Sequence, residues 1–250
     1  MNFSEKTALV TGAAMGIGKA TALTFAQNGA KVIIVDMDEE RLQGVKNEIE
    51  QMGAEALAYV CDVSDEQKVN EITKDALSKV GKIDILVNNA GIFRDSGEFL
   101  GIPTDLWKKY IDVNLMGVVY FTKALLPQMI ENNYGKIVNV ASVAGVYGNP
   151  KMVHYSATKG AIISMTKALA KEVIGKGVNV NAISPGSVSS SHVSEDINHI
   201  EYEGFAKGAT YIQRSGSHVE NANLICFLAS DEASYISGQN IQVDGSRKVI

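Results

Sequence analysis

Short apolar runs alternate with longer amphipathic segments along almost the whole chain. Seven runs have the length and the Val, Ile and Leu content of buried strands: residues 7–10, 31–35, 54–60, 83–87, 136–140, 178–184 and 241–245. Between the second and third runs, Leu42, Val45 and Ile49 recur at helical spacing. Strands that alternate with helices in this way predict an α/β fold, with a doubly wound parallel sheet of about seven strands and helices on both faces.

Length and composition indicate an ordinary globular protein and exclude several classes of partner. The chain has 250 residues, of which 46% are hydrophobic and 20% charged, so we expect one domain over residues 1–250. A net charge of −5 without a long basic run argues against nucleic acid. Cys61 and Cys226 stand alone, without metal-ligand spacing, which suits a reducing compartment and no metal site. The start of the chain is polar and no apolar run approaches about 18 residues, so we expect a cytoplasmic protein without a membrane partner.

A glycine-rich turn follows the first strand and precedes a helical segment. Gly12, Gly16 and Gly18 allow a tight turn and a close approach to a pyrophosphate, whose charge then lies at a helix N-terminus. Met15 and Ile17 lie in the same turn and are further candidate cofactor contacts. A glycine-rich turn without a ligand is the alternative. The turn therefore predicts a Rossmann-type dinucleotide-binding fold.

Carboxylates end the second and third strands. Asp36 stands where a carboxylate can accept both hydroxyls of an adenosine ribose and would repel a 2′-phosphate, and Met37 follows it. The glycine turn has no Arg or Lys before Lys19, so NAD is favoured and NADP is less expected. A solvated turn residue is the alternative for Asp36. Asp62, followed by Val63, is placed to reach the adenine amino group or to cap the next helix, and both readings stay open.

Amides mark two further positions. Asn89, Ala90 and Gly91 follow the fourth strand at the sheet edge where open α/β sheets bind ligands, and we expect them to support the loops and line the cofactor. Asn114 lies within an apolar helical stretch over residues 106–125. A polar side chain in such a place has a hydrogen-bonded partner. Asn114 is either a satisfied structural amide or part of a proton path.

Tyr155 and Lys159 provide the candidate chemistry. Residues four apart share one face of a helix, and an ammonium beside a phenol lowers the phenol's pKa, which is normally about 10. A tyrosine tuned in this way is a general acid and base for alcohols and ketones. A surface pair is the alternative. Ser142, at the end of the fifth strand, can hydrogen-bond the substrate oxygen or merely cap a turn.

Taken together, these motifs resemble those of the short-chain dehydrogenase/reductase family, in its NAD-preferring branch of this length. The matching positions follow the family's order, and they are Thr11, Gly12, Gly16, Gly18, Asp36, Asp62, Val63, residues 88–91, Asn114, Ser142, Tyr155, Lys159, Pro185 and Gly186. The resemblance implies that Tyr155 exchanges the proton and that Lys159 lowers its pKa and binds the nicotinamide ribose. It also implies that Ser142 holds the substrate oxygen and that Asn114 positions a water linking Lys159 to solvent.

The resemblance extends to the last third of the chain. It places Pro185, Gly186, Val188 and Ser189 beside the cofactor's carboxamide, with a plain loop serine as the alternative for Ser189. It implies a substrate lid at about residues 189–213 and a homotetramer built on the helices that carry Asn114 and follow Lys159. His154 touches the substrate or packs at the start of its helix. Relatives often have glycine where Ser246 stands, which puts the path of the tail in doubt.

Three functional hypotheses follow. The first is an NAD(H)-dependent oxidoreductase that interconverts a secondary alcohol and a ketone, such as a hydroxysteroid, a sugar or polyol, or a small ketone. The second is a 3-oxoacyl-[acyl-carrier-protein] reductase, which the chain resembles around residues 88–95 and 148–150. Those enzymes usually prefer NADPH and meet the acidic carrier with basic residues, so Asp36 and the net charge of −5 argue against them without excluding them. The third is a non-catalytic dinucleotide sensor or structural subunit, which would not need Ser142, Tyr155 and Lys159.

Overall fold

Seven parallel strands form one sheet in the computed structural model, which describes residues 1–189 and 208–248. Their order across the sheet is β3-β2-β1-β4-β5-β6-β7. The strands are β1 (Thr7–Thr11), β2 (Lys31–Asp36), β3 (Ala56–Val60), β4 (Ile85–Asn88), β5 (Gly135–Val140), β6 (Val178–Pro185) and β7 (Asn240–Val243). The predicted α/β fold with a doubly wound parallel sheet is confirmed, although β7 ends two residues before the apolar run suggested.

Helices connect the strands and cover both faces of the sheet. They are α1 (Gly16–Gln27), α2 (Glu39–Gln51), α3 (Glu66–Val80), α4 (Thr104–Ile111), α5 (Gly117–Glu131), α6 (Val143–Tyr147), α7 (Val153–Val173) and α8 (His218–Ala229). One face of the sheet packs against α1, α2 and α8, and the other against α3, α5 and α7. The residues that predicted α2, namely Leu42, Val45 and Ile49, are all at most 1% exposed.

The strand order reverses beside β1, which pairs with β2 on one side and with β4 on the other. Chain connections leave β1 and β4 toward opposite faces of the sheet, so a crevice opens at the carboxyl ends of these two strands. Thr11, Asp36, Asn88, Val140 and Pro185 each form the last residue of a strand. The topology therefore brings the predicted site residues to one edge of the sheet.

A single π-helical turn, Asp112–Met116, joins α4 to α5 and was not predicted. The continuous helical stretch Thr104–Glu131 is long and apolar enough to cross a membrane by length and composition alone. Phe121 and Leu125 are nevertheless fully buried in the core against the sheet, as expected of a core helix. The π turn is the local feature that matters for the site, because Asn114 lies inside it and is 0% exposed.

Most of the expected substrate lid, residues 190–207, lies outside the described residues. Beyond it, the chain pairs with its own C-terminal tail, since the Tyr211 amide donates to the Ser246 carbonyl at 3.1 Å. Ser246 has a left-handed backbone, with φ of +59°. This conformation favours glycine, so the serine adopts it under strain.

Candidate active site

Tyr155 and Lys159 lie in the first two turns of α7. The Lys159 ammonium is 5.9 Å from the centre of the Tyr155 ring and donates a 2.8 Å hydrogen bond to the Val140 carbonyl at the end of β5. Burial lowers the pKa of Lys159 to about 8, because removing water disfavours the charged form. The amine is still mostly protonated at neutral pH, so a positive charge is held beside the phenol.

Ser142 lies two residues after Val140, whose carbonyl accepts the hydrogen bond from Lys159. It caps α6, with its Oγ accepting from the Ala144 amide at 3.1 Å, and a hydroxyl that accepts can still donate to a substrate oxygen. Close packing brings α6 onto α7, since a Cβ at Gly145 would lie 2.5 Å from the Lys159 carbonyl carbon. The capping alternative for Ser142 is thus seen in the structure, and it does not exclude the proposed contact with substrate.

Asn114 is a fully satisfied amide. Its Oδ1 accepts from the Ile92 amide at 2.8 Å, and its Nδ2 donates to the Ile92 carbonyl at 2.9 Å and to Thr158 Oγ1 at 3.4 Å. A Cβ at Gly91 would lie 3.0 Å from Asn114 Oδ1 and 3.5 Å from Lys159 Nζ. The side chain therefore ties the segment after β4 to α7 beside the lysine, while a role in a proton path stays a prediction.

The glycine turn has the shape of a dinucleotide cradle. Gly12 and Gly16 have φ values of +64° and +60°. A Cβ at Gly18 would lie 2.0 Å from the Gly12 carbonyl oxygen, so only glycine allows this approach. The side chain of Met15 does not cap α1, and the first turn of the helix, which includes Ile17, has no acidic residue. The backbone amides at this helix start are therefore available to an anion. The residues present therefore fit the pyrophosphate of a dinucleotide.

The two carboxylates predicted to bind the cofactor's adenosine, Asp36 and Asp62, make different contacts in the structure. Asp36 braces the glycine turn, because its Oδ2 accepts from the Ala14 amide at 3.0 Å. Met37, beside it, is 71% exposed. Asp62 accepts from the Ser64 amide and hydroxyl at 2.9 and 2.7 Å, whereas the cap of α3 is Asp65. The capping alternative for Asp62 is therefore wrong, since Asp62 stabilises only the turn before the cap.

The residues after β4 mainly hold neighbouring strands together. The side-chain Nδ2 of Asn89 donates to the backbone carbonyls of Thr11 and Gly12, both at 3.0 Å. Thr11 Oγ1 in turn accepts from the amides of Asn89 and Ala90 at 3.0 and 3.1 Å. These bonds fix the glycine turn against β4, as expected of a supporting segment. Asn89 and Ala90 as cofactor contacts remain predictions.

The loop after β6 is fixed by the segment that precedes α8. Gly186 packs tightly, since a Cβ there would lie 2.9 Å from Asp244 Cα. Val188 forms a bridge with Gly216, and the Ser189 amide donates to the Gly216 carbonyl at 2.9 Å. Pro185 and these loop residues thus stand at the same sheet edge as Tyr155. Their contacts with a carboxamide remain predictions.

The structure adds site neighbours that the sequence reasoning missed. The acceptor for Lys159 is the Val140 carbonyl, a backbone group that no side-chain pattern can reveal. Thr158 binds Asn114, and its place one residue before Lys159 was the available signal. His218 Nε2 lies 3.7 Å from where a Cβ on Gly16 would sit, so the start of α8 borders the glycine turn.

His154 packs at the start of its helix, which was one of its two predicted roles. Its ring is 0% exposed and stands edge-to-face against Tyr110, with 4.2 Å between ring centres. A fully buried ring of this kind does not meet a substrate in this arrangement. The packing role is therefore the one that the structure shows.

A parallel α/β sheet with a glycine cradle and a tyrosine–lysine pair at its carboxyl edge defines a dinucleotide-dependent oxidoreductase scaffold. A family model described as "Enoyl-(Acyl carrier protein) reductase" matches residues 12–246. Together with the relatives below, this match shows that the chain belongs to the short-chain dehydrogenase/reductase family.

Curated relatives and solved structures give a consistent picture of that family. The chain is 42% identical over 245 residues to "3-oxoacyl-[acyl-carrier-protein] reductase FabG" of Thermotoga maritima, covering 98% of both chains. It is 42% identical over 244 residues to "3-oxoacyl-[acyl-carrier-protein] reductase" of Synechocystis sp., covering 97% of this chain and 96% of the relative.

Two similar structures carry names from other substrate classes. One is an NAD⁺-bound xylitol dehydrogenase, with a TM-score of 0.91, 33% identity and coverage of 98% of this chain and 100% of that one. The other is a 7α-hydroxysteroid dehydrogenase complexed with NADH and 7-oxo glycochenodeoxycholic acid, with a TM-score of 0.92, 33% identity and coverage of 100% and 97%.

Proposed function

We propose that this protein reduces the ketone of a 3-oxoacyl thioester, presented by an acyl carrier protein, to a secondary alcohol. The observation that carries the proposal is the buried Lys159 ammonium, which lies 5.9 Å from the Tyr155 ring and is bonded to the Val140 carbonyl at the end of β5. The substrate class is supported by the carrier-protein reductases, which are 42% identical over nearly the whole chain. Because of this similarity we favour a 3-oxoacyl thioester over the broader first hypothesis, in which the alcohol substrate was left unassigned.

Three side chains handle the oxygen and the proton. A nicotinamide dinucleotide supplies the hydride when bound. Ser142 donates to the ketone oxygen and holds it near Tyr155. Tyr155 gives its proton to that oxygen as the alkoxide develops, and the resulting phenolate is stabilised by the Lys159 charge. Lowering a phenol pKa from about 10 to about 7 requires roughly 4 kcal/mol of preferential stabilisation, which a nearby charge in a partly buried site can supply.

For the cofactor we propose NAD(H), against the NADPH preference that the carrier-protein reductases usually have. Asp36 ends β2 beside the glycine turn, where its negative charge opposes a 2′-phosphate. The test is Asp36→Asn, which keeps an oxygen acceptor for the Ala14 amide, gives up the one that accepts from the Asp38 amide at 3.1 Å, and removes the charge. We expect the wild type to prefer NADH over NADPH at least tenfold in kcat/KM, about 1.4 kcal/mol, and the variant to lose most of that preference. Comparable values for both cofactors in the wild type would overturn the assignment.

A second candidate is an NAD-dependent dehydrogenase of a free alcohol. The same Asp36 favours it, as do the NAD(H)-bound xylitol and hydroxysteroid dehydrogenase structures. A substrate panel separates the two. Acetoacetyl-CoA and a 3-oxoacyl carrier protein are assayed with NADH and with NADPH, and polyols and hydroxysteroids with NAD⁺, by absorbance of the reduced cofactor.

The outcome of the panel assigns the class. Turnover of the thioesters at least tenfold above every free alcohol in kcat/KM supports the carrier-protein reductase, and the reverse order supports the dehydrogenase. Binding of NADH without turnover of anything on the panel supports the sensor hypothesis. Arg94 is exposed in the segment between β4 and α4 and can pair with an acidic carrier, so a preference for the carrier-bound thioester over the CoA thioester is also expected.

The assembly and its location remain proposals. A groove of about 250 Å³ runs between α5 and α7 and is lined in part by Val119, Leu126, Met165 and Leu169. These are the helices on which family members associate, so we expect a homotetramer. As for location, we propose the cytoplasm. Light scattering at several protein concentrations measures the mass directly, and a monomer across the range would refute the tetramer.

A further inference from the structure

Tyr110 is a fully buried tyrosine that the proposed chemistry does not use. It lies in the last turn of α4, is 0% exposed, and its hydroxyl donates to Asp95 Oδ2 at 3.0 Å. The same hydroxyl accepts from the Asp95 amide at 3.1 Å. Burial, with Asp95 beside it, raises the pKa of Tyr110 to about 12, so this phenol stays protonated. Two hydrogen bonds thus fix the Tyr110 ring to one residue of the segment that follows β4.

The other side of the Tyr110 ring contacts the start of α7. Its centre is 4.2 Å from that of His154 at 76°, and 6.4 Å from that of Tyr155 at 86°. Both are edge-to-face arrangements, which are the favourable geometry for aromatic pairs. Tyr110 therefore touches the proposed proton donor and the residue immediately before it.

His154 depends on this packing for its position. Neither ring nitrogen has a hydrogen-bond partner among the residues that the structure describes, although the ring is fully buried. Its neighbours are the rings of Tyr110 and of Trp107, the latter 6.0 Å away. Since no hydrogen bond in the described structure orients the His154 ring, ring contacts set its position, while Ser156 in the same turn accepts from the Asn149 amide at 3.0 Å.

The Asp95–Tyr110 pair repeats a connection that the site already contains. One turn further along the same helical stretch, Asn114 joins Ile92 to Thr158. Both connections run from the segment after β4, through the helix that includes Tyr110 and Asn114, to α7. The Asn114 connection lies beside Lys159, and the Tyr110 connection lies beside Tyr155.

We propose that Tyr110, fixed by Asp95, is a positioning residue that holds the Tyr155 ring in line with Lys159 and the ketone. This inference rests on the proposed function of Tyr155. Without the hydrogen bond to the Asp95 carboxylate, the Tyr110 ring is held less firmly, and so is the edge-to-face contact that it makes with the Tyr155 ring. A misplaced proton donor slows the chemical step and leaves cofactor binding unchanged.

Three variants test the proposal in the full-length enzyme with NADH and acetoacetyl-CoA. Tyr110→Phe keeps the ring and removes the hydroxyl, Asp95→Ala removes the acceptor, and Asp95→Asn keeps an acceptor in the same place. We expect Tyr110→Phe and Asp95→Ala each to lower kcat about tenfold, because small misplacements of catalytic groups cost up to about a hundredfold. Asp95→Asn should stay within twofold of the wild type, and the NADH Kd should not change in any variant.

Two further measurements keep the outcome decisive. The double variant Tyr110→Phe/Asp95→Ala should be no slower than Tyr110→Phe, since both substitutions remove the hydrogen bond between the Tyr110 hydroxyl and the Asp95 carboxylate. NMR of ring-labelled tyrosine should show faster flipping of Tyr155 in Tyr110→Phe and Asp95→Ala only. Because Asp95 is exposed, its variants are expected to fold even if Tyr110→Phe does not.

The results separate this inference from the function on which it rests. A wild type without turnover contradicts the proposed function, and the NMR signals of Tyr155 then decide the positioning role alone. An active wild type whose Tyr110→Phe and Asp95→Ala variants keep kcat and ring flipping within twofold overturns the positioning role. Equal losses in Asp95→Asn and Asp95→Ala overturn it as well.

Discussion

Replacing Lys159 with Met should make the protein's stability respond differently to pH. The pKa of this buried amine is lowered from 10.5 to about 8 in the folded protein. Below pH 8 both the folded and unfolded states hold the proton, and the folded state bears the full cost of the buried charge. Between pH 8 and 10.5 the folded state releases its proton first, so the stability of the wild type rises with pH relative to the variant.

The size of the effect follows from the two pKa values. A lowering of this extent corresponds to about 3.4 kcal/mol between the fully charged and fully neutral limits, at about 1.4 kcal/mol per pKa unit. Going from pH 7 to pH 9 realises roughly two-fifths of that, about 1.4 kcal/mol. The lost hydrogen bond to the Val140 carbonyl adds an offset that is the same at both pH values.

Urea unfolding followed by circular dichroism measures this difference. The free energy of unfolding of wild type and Lys159→Met is compared at pH 7 and at pH 9. Burial raises the pKa of Cys61 to about 11 and that of Cys226 to about 12, which destabilises both proteins equally at high pH. Lys167→Met, at an exposed position of α7, is the control and should show a pH-independent difference. Equal differences at pH 7 and pH 9 for Lys159→Met would refute the buried charge.

Two further predictions concern the backbone. Gly18→Ala should abolish dinucleotide binding, because the added Cβ would lie 2.0 Å from the Gly12 carbonyl oxygen. In Gly44→Ala, within α2, the added Cβ meets nothing within 4 Å, so this variant should raise the free energy of unfolding by about 1 kcal/mol. Calorimetric titration with NADH checks the loss of binding, with Gly44→Ala as the control that should bind like the wild type, and thermal melting checks the stabilisation by Gly44→Ala. Binding by Gly18→Ala would contradict the cradle. Ser246→Gly should raise stability by about 0.5–1 kcal/mol by relieving a φ of +59°, while Ser234→Gly, at φ of −57°, should lower it. Thermal melting of both variants is the measurement, and a loss in Ser246→Gly would contradict the strain.

Much of the fold follows from local patterns in the sequence. The apolar runs within β1, β2 and β5 could be recognised as strands because these strands are buried on both faces of the sheet and therefore show continuous apolar residues. Site residues could be predicted together for the same reason, since parallel strands bring their carboxyl ends to one edge.

Other features leave no mark in the sequence. The π turn that holds Asn114 adds one residue to a helical turn, and the apolar spacing on either side still fits a continuous helix. The acceptor of Lys159 is a backbone carbonyl, and the contact between Tyr110 and Asp95 depends on the course of a loop. In the case of Asp62 the sequence offered two aspartates that could cap α3, and the structure shows that Asp65 is the cap.

The central claim is that Tyr155 exchanges the proton while Lys159 holds a charge beside it. Its most direct test is single-turnover reduction of acetoacetyl-CoA by the NADH complex of Tyr155→Phe. The account predicts a hydride-transfer rate at least about a hundredfold below that of the wild type, with the NADH Kd unchanged within threefold. A variant that transfers hydride within tenfold of the wild-type rate would contradict it.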